Sequence, residues 1–383
     1  MTHAEAYEHF RSRYAEELHT KKIQELEQYI EAHYTEIQKE LFESFTRLFR
    51  KITDVQNQSG KGKIAYIILS TLRTSLLFDK SRCLLSAYNE KWYADQEPVE
   101  EEYHAQWLFS HLNQYAQELH IERKKYVGKV TPIDVEQCKI EKFEDYKAYL
   151  LTLCKKNIEE IVGLAEMAAI DKSKVFNIRI GEYLDLTESL WLIDRERKDN
   201  EDVRLYFRKK FEWAYVYRHF QDLDLSHGDY TRTTMSDTRY ERVNFSGSML
   251  NACTLTGTRF IQCKLERADL TGSRIGESDF TKSNLKGAIL TYVNRDGTTD
   301  KEKPNSPLFI RTKFIGTDLT DANLSYGNFY GSDFSGAILD DCDFTEADLR
   351  SVIMDDKYRF SDRLTLTDKQ RGDIIWAKQG SII

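Results

Sequence analysis

Large apolar residues recur at an interval of five in the C-terminal part of the chain. Every fifth residue from Phe220 to Leu290 is large and apolar, which makes fifteen in succession, and nine more follow from Phe314 to Met354. An α-helix repeats near 3.6 residues and a strand repeats at two, so a period of five fits neither element. It fits a chain that forms one side of a square in five residues and then turns. The pattern therefore predicts coils of four sides and twenty residues.

A second register lies two residues before each large residue and consists of small or modest side chains from Gly228 onward. We expect the large residue to fill the centre of the coil and the small residue to point inward beside it. At twenty-residue spacing one inward column is aromatic, and it contains Phe220, Tyr240, Phe260 and Phe280. We expect these four rings to stack, because stacked aromatic pairs contribute about 0.5–1.5 kcal/mol beyond the burial of their area.

This pattern resembles the pentapeptide-repeat family, whose motif is A(D/N)LXX. The best local copies begin at Ala268, Ala322 and Ala347, and each continues with Asp or Asn and then Leu. The resemblance covers roughly a third of the chain. It implies the family's right-handed quadrilateral β-helix, here of about six coils stacked as short parallel strands about 4.7–4.9 Å apart.

The repeat is interrupted once and is followed by a short tail. Phase is lost over residues 291–309, where Gly, Pro and charged residues predict a loop at one corner of the β-helix. Such a loop fits a tolerated surface insertion or a partner-contact loop, and Phe309 fits a further repeat. Residues 356–383 are expected to cover the open C-terminal edge, with Thr367 or Asp368 capping a short helix.

Residues 1–219 lack the repeat and resemble no known family. Apolar residues from Ile23 to Ile52 recur at spacings of three and four, which predicts one long amphipathic helix. Further helices are predicted at about 64–78, 99–122, 133–169 and 200–219. Residues 81–93 and 176–186 fit a helix or a strand equally. The predicted fold class is therefore α+β and multidomain. It places a mainly helical domain at 1–219, the quadrilateral β-helix at 220–355 and the capping segment at 356–383.

Composition narrows the class of protein. The net charge of −8 disfavours direct nucleic-acid binding, since phosphate binding requires clustered Lys and Arg. No secretory signal or membrane span is predicted, and six cysteines without a CxxC pair fit reduced, buried thiols. We therefore expect a cytoplasmic protein without metal or other cofactor. The oligomeric state is not predicted.

Two motifs resemble ligand-binding sites only weakly. The Gly-Lys-Gly-Lys run at 60–63 departs from the phosphate-loop spacing, because Asn57 stands where the first glycine is required. A linker is the better interpretation. His104 and His111 are seven residues apart, which is too far for two ligands on one helical face to converge on a metal ion. No catalytic, cofactor or metal residue is therefore predicted.

The acidic residues of the β-helix indicate a possible partner surface. Residues 220–290 contain nine acidic and nine basic residues, whereas residues 314–355 contain nine acidic residues and only Arg350 as a base. Four of those nine hold the motif's Asp/Asn position, where the side chain commonly bonds the backbone of a turn. The other five exceed what the motif explains. They are Asp321, Asp340, Asp341, Glu346 and Asp355.

Three functional hypotheses follow. The first is a non-enzymatic protein-binding adaptor or scaffold that engages another protein, such as a biosynthetic enzyme, through the helical domain and the β-helix faces, since solenoids offer long surfaces and few pockets. The second is a DNA-mimicking protein that protects a topoisomerase, which the family resemblance implies for some members. The third is an enzyme of unknown class with its site in the N-terminal domain. Neither membrane nor nucleic acid is an expected partner.

Overall fold

The computed structural model describes residues 1–78, 80–295 and 306–378. The chain forms two compact units. The first is Met1–Trp191 with Ser306–Leu308, and the second is Leu192–Asn305 with Phe309–Ile383. Residues 192–219, which the sequence analysis assigned to the helical domain, thus group with the β-helix. Among the described residues, no helix is both long and apolar enough to cross a membrane.

Long helices dominate the first unit. Helix α1 (His3–Phe10) leads through a π-helical turn (Arg11–Ala15) into α2 (Glu16–Ser59), which confirms the predicted long helix. Gly60 ends α2 in the left-handed conformation, at φ 68°. Helices α4 (Gln106–Glu122), α5 (Pro132–Val162) and α6 (Ala165–Ala169) follow later in the unit. Helix α2 packs against α4, α5 and α6.

The first unit also contains a five-stranded mixed sheet. Its strands are β1 (Ile64–Thr71), β2 (Arg82–Tyr88), β3 (Val99–His104), β4 (Lys172–Glu182) and β5 (Thr187–Asp194), in the order β3-β2-β1-β4-β5. Strand β2 is antiparallel to both β1 and β3, and β4 is parallel to β1. Both ambiguous segments, 81–93 and 176–186, therefore contain strands.

The predicted helix at 64–78 is wrong. Residues Ile64–Thr71 form the central strand β1, and only Arg73–Leu77 are helical, as α3. Because β1 lies between two strands and is buried along almost its whole length, its apolar residues form a continuous run without alternation. Such a run cannot be distinguished from a buried helix by its period. The predicted helices at 99–122 and 200–219 are shorter than expected, since residues 99–104 form β3 and α7 is Asn200–Arg208.

The second unit is the predicted four-sided β-helix. Backbone bridges join residues twenty apart, as in the series Asp224, Asn244, Lys264 and Asn284. All twenty-four large apolar residues of the five-residue register are buried, none more than 3% exposed. One side contains three regular parallel strands, β6 (His219–Gln221), β7 (Arg239–Glu241) and β8 (Arg259–Ile261).

The predicted aromatic column is confirmed and is longer than expected. Successive ring centroids from Phe220 through Tyr240, Phe260 and Phe280 lie 5.5, 5.2 and 5.1 Å apart, with ring planes within 13° of parallel. Phe314 lies 5.0 Å from Phe280 and continues the column across the interruption of the repeat. Phe334 ends this six-ring stack at 4.6 Å from Phe314.

The small inward residues satisfy backbone carbonyl groups. The hydroxyls of Ser248, Thr258 and Ser283 donate to carbonyl oxygens twenty-three residues earlier, at 3.0, 2.8 and 2.6 Å. Cys253 makes the equivalent contact to Tyr230 O at 2.9 Å. Polar side chains are tolerated beside the apolar axis at these positions because each of these four groups has an acceptor, whereas the hydroxyls of Thr233 and Ser332 in the same register are buried without a hydrogen-bond partner among the described residues. All six cysteines are free and buried.

Both open edges of the β-helix are covered from within the second unit. At the start, Phe207 of α7 lies 5.5 Å from the ring of Phe220. At the end, β9 (Ile353–Asp355) pairs in parallel with β10 (Ile375–Ala377). Thr367 caps α8 (Asp368–Asp373), as predicted, and Gln370 Nε2 donates to Phe344 O at 2.8 Å. The β9–β10 pair and the Gln370 contact occupy backbone groups that an uncovered edge would present to another chain.

The interruption is partly within the described residues. The β-helix continues as far as Asn294, which bridges to Arg274, so the loop predicted at 291–309 begins later than expected. Residues 296–305 lie outside the described residues. Phe309 is buried, with the guanidinium groups of Arg295 and Arg311 4.4 and 5.6 Å from its ring centroid.

We expect Phe260→Ala to destabilise the protein by about 3–5 kcal/mol, because it empties a site in the middle of the aromatic column. Phe360→Ala, at an aromatic residue that is 83% exposed, is the matched control and should leave stability almost unchanged. Chemical denaturation of both variants measures the difference. Equal stability of the two variants would contradict the inward column.

A second prediction concerns acid stability. The proximity of His219 and Arg239 lowers the pKa of Glu241 to about 2 in the folded protein, below its ordinary value of 4.5. This group therefore stabilises the fold above pH 4.5, and the contribution is lost as pH falls towards 2. Glu241→Gln should reduce the acid-induced loss of unfolding free energy by on the order of 1–3 kcal/mol. Denaturation at pH 7 and pH 3 tests this, with the exposed Glu212→Gln as control. An identical pH dependence in both variants would refute it.

Candidate protein-binding surface

Four acids of the last coils are part of the turn structure, as predicted. Asp318, Asp333, Asp343 and Asp348 each accept a hydrogen bond from the backbone N–H two residues later, at 2.8–3.2 Å. The geometry recurs along the β-helix, where Asp269 accepts from the N–H of Thr271 at 2.9 Å. These carboxylates hold the chain in its corner conformation, so their presence needs no partner to explain it.

Three of the five surplus acids are exposed at corners. Asp321, Asp341 and Glu346 have left-handed backbone conformations, with φ of 59°, 60° and 55°. Each follows a buried central residue by two positions, where the chain turns from one side to the next. Asp321 and Asp341 are twenty residues apart and occupy the same corner of successive coils.

The other two surplus acids are engaged within the chain. Asp340 is half-buried and forms an ion pair with Arg363, with a contact of 2.6 Å between Oδ2 and Nη1. Asp355 is buried and accepts the backbone N–H of Gly336 at 3.1 Å. Lys357 Nζ lies 3.7 Å from its other carboxylate oxygen. The predicted surface is therefore reduced to three of its five residues.

The next corner carries two exposed tyrosines that the sequence analysis did not identify. The rings of Tyr292 and Tyr326 are stacked, with centroids 5.1 Å apart and planes 9° from parallel. They are 58% and 50% exposed, and Glu346 continues the same corner in the following coil. The sequence does contain a signal for this corner. Tyr292, Tyr326 and Glu346 each stand two positions after a central residue, and they are one coil apart when the inserted residues of the interruption are left out of the count.

These two corners flank one side of three successive coils. Backbone hydrogen bonds from Tyr292 N to Ser325 O and from Tyr326 N to Thr345 O, at 3.3 and 2.8 Å, align the coils. We call this side with its two corners the tyrosine–acid face. None of its outward side chains is basic. Its residues are Ile289, Thr291, Tyr292, Asp321, Asn323, Ser325, Tyr326, Asp341, Asp343, Thr345 and Glu346.

The first unit contains a cleft of about 620 Å³ where the parallel strands β1 and β4 end. Lys147 Nζ contacts both Glu144 and Glu182 there at 2.6 Å. Hydrogen bonding from Lys147 and from Arg73 lowers the pKa of Glu182. The residues that line this cleft include neither His nor Cys. Lys147, Glu144 and Glu182 are thus engaged with one another in ion pairs.

The residues considered for phosphate or metal binding have structural contacts. Lys61 Nζ lies 2.9 Å from Asp95 Oδ2, and both side chains are almost fully buried. His104 belongs to β3, whereas His111 belongs to α4, where its Nδ1 lies 2.7 Å from Trp107 O. The two histidines therefore lie on different elements and do not form a pair on one helix.

Comparison with known proteins agrees with this geometry. A family model described as pentapeptide repeats matches eight copies, over residues 231–267, 241–276, 268–299, 309–341 and 317–356. Residues 231–299 and 309–356 therefore contain pentapeptide repeats. The model covers less than half of the chain, and no curated protein matches.

The solved structures that match part of this chain include the following three. A trypsin-treated QnrB1, a plasmid-mediated fluoroquinolone resistance protein, is 15% identical over 43% of this chain and 81% of its own, with a TM-score of 0.28. HetL of the cyanobacterium Nostoc, involved in regulating heterocyst differentiation, is 19% identical over 42% and 81%, with a TM-score of 0.17. Rfr23 of the cyanobacterium Cyanothece is 14% identical over 40% and 97%, with a TM-score of 0.17. At these values the similarity concerns the repeat fold and carries no functional argument.

The surplus acids of the pentapeptide-repeat region fall into exposed corner residues and residues engaged within the chain, and this assignment can be tested. Asp355→Ala removes the charged acceptor of the Gly336 N–H and should cost about 1.5–3 kcal/mol, the range of a hydrogen bond to a charged group. Asp341→Ala should change stability by less than about 0.5 kcal/mol, since the side chain is exposed and Ala252 already occupies an equivalent left-handed corner. Thermal unfolding of both variants compares the two costs. A larger cost for Asp341→Ala would reverse the assignment.

Proposed function

We propose that the chain is a non-enzymatic adaptor or scaffold whose tyrosine–acid face binds a cationic surface of a partner protein. The observation that carries this proposal is the exposed stack of Tyr292 and Tyr326 beside Asp321, Asp341 and Glu346. Tyrosine is enriched at protein interfaces because its ring offers a large contact area and a polar end. The carboxylates favour a basic partner and accelerate the encounter with it.

The rigidity of the β-helix supports binding at this face. Both tyrosines are attached to backbone positions that are hydrogen-bonded to the next coil. Little backbone freedom is therefore lost when a partner binds, and a preorganised surface keeps more of its contact energy as affinity. The helical first unit would supply a second contact region of the adaptor.

One observation favours the alternative, topoisomerase protection by DNA mimicry. Residues 314–355 contain nine acidic residues and a single basic residue, Arg350. Three observations argue for the adaptor instead. Asp340 is ion-paired, Asp355 is buried, and the first three coils carry balanced charge. Regular exposed negative charge along the whole rod is what mimicry of a phosphate backbone requires.

We expect simultaneous reversal of Asp321, Asp341 and Glu346 to Lys to abolish capture of the partner. The measurement is a pull-down with the full chain, followed by identification of the bound proteins and titration with the purified partner. A matched control reverses three exposed acids of the same unit that lie outside the face, Glu201, Glu212 and Asp362. Both triple variants should unfold at the temperature of the unaltered protein.

The identity of the captured protein separates the two functions. Recovery of a gyrase subunit that the face variant no longer binds would favour topoisomerase protection. Recovery of another protein, such as a biosynthetic enzyme, with the same dependence supports the adaptor. Capture that survives reversal of the face, or that is equally reduced in the control, would contradict a role for the tyrosine–acid face.

A further inference from the structure

The tyrosine stack of the pentapeptide-repeat region is open at one end. One face of the Tyr292 ring is covered by Tyr326 at 5.1 Å. The opposite face points along the axis towards the preceding coil, whose residue at this corner is Gly272. The alignment of these coils is set by a hydrogen bond of 2.9 Å from Gly272 N to Thr291 O. The corner position that precedes Tyr292 in this column therefore carries no side chain.

The space at this position has the height of one coil. Within the described residues 1–78, 80–295 and 306–378, no atom other than those of Gly272 and its two chain neighbours lies within 4 Å of the point where a Cβ on Gly272 would stand. One coil earlier, the corner residue is Ala252, which is also exposed and left-handed at φ 55°. Inside the β-helix, rings on successive coils stack at 4.6–5.5 Å, so one coil of height accommodates one planar group. We call this space the Gly272 slot.

We propose that the Gly272 slot binds the guanidinium group of an arginine from the partner protein, stacked on the free face of Tyr292. This inference rests on the proposed function, since it takes the partner to be cationic. The acids of the tyrosine–acid face select a cation, and the slot selects a flat one. Arginine combines both properties, whereas the lysine ammonium is compact and strongly hydrated.

Two features of the surroundings bear on this choice. Arg274 lies on the adjoining side, where its backbone bridges to Thr254 and Asn294, whereas Asp269 lies on the same side as the slot. The chain already stacks arginine on an exposed side of the β-helix, since the guanidinium carbon of Arg350 lies 5.4 Å from the ring centroid of Tyr330. A stacked arginine is thus compatible with the spacing of these coils.

The experiment compares an octa-arginine peptide with an octa-lysine peptide of equal charge, each titrated against the full chain at low ionic strength. We expect the arginine peptide to bind about 2- to 5-fold more tightly, the range of an exposed cation–π contact. Gly272→Leu should remove that difference and leave lysine binding unchanged, because the aliphatic side chain fills the slot without offering a new aromatic face. Leucine is tolerated at this backbone conformation, as Leu184 has φ of 58° against 67° at Gly272.

Two further variants complete the design. Tyr292→Ala should also remove the preference for arginine, since it deletes the stacking surface. Gly316→Leu is the matched control at a different corner, where φ is 63° and a Cβ would lie 3.7 Å from the nearest atom, and it should keep the preference. Thermal unfolding establishes that each variant is folded before titration.

The outcomes separate the slot from the proposed function. If neither peptide binds, or if binding is unaffected when Asp321, Asp341 and Glu346 are reversed, the cationic-partner proposal fails. If both peptides bind equally in the unaltered protein, or if Gly272→Leu keeps the preference for arginine, the slot inference is overturned and the acidic surface stands. Loss of the preference in Gly272→Leu and Tyr292→Ala, with the preference kept in Gly316→Leu, supports the slot.

Discussion

Parallel backbone hydrogen bonding between coils twenty residues apart is the interaction on which the second unit depends. On each side the backbone bonds both neighbouring coils, as where Asp269 N donates to Ser248 O in the preceding coil at 2.9 Å and Leu270 N donates to Ile289 O in the following coil at 2.7 Å. Each such bond contributes only about 1 kcal/mol net. Their regular repetition nevertheless aligns every position with its equivalent in the next coil. Central rings, inward hydroxyls, corner residues and outward side chains therefore each form a column.

This alignment explains which parts of the fold the sequence could predict. The column from Phe220 to Phe280 was predictable because a buried central position restricts both size and polarity at each fifth residue. Strand β1 was not, because a segment buried on both sides loses the alternation that distinguishes a strand from a helix. The burial of Asp355 could not be predicted from the sequence either. It depends on the pairing of β9 with β10, which are about twenty residues apart.

The candidate surface was predictable only in part, for a related physical reason. Corner positions face solvent, so no packing constraint selects their side chains, and one corner can hold Gly272, Tyr292 and Glu346 in turn. A left-handed backbone disfavours large side chains without excluding them. Asp321 and Asp341 were identified through their charge. Tyr292 and Tyr326 are thirty-four positions apart in the sequence. Their pairing can be predicted only if this spacing is read as one coil of twenty residues plus an insertion of fourteen.

That insertion has an implication for how such a chain can change over time. Phe280 and Phe314 stack at 5.0 Å although thirty-four residues separate them, which is the same contact that twenty residues produce elsewhere. The chain can therefore gain fourteen residues between Leu290 and Phe314 while the coils before and after keep their phase, and closing a longer surface connection costs little free energy. Such an insertion requires no compensating change in the core. The β-helix can thus accommodate additional sequence between two coils while the columns on either side remain aligned.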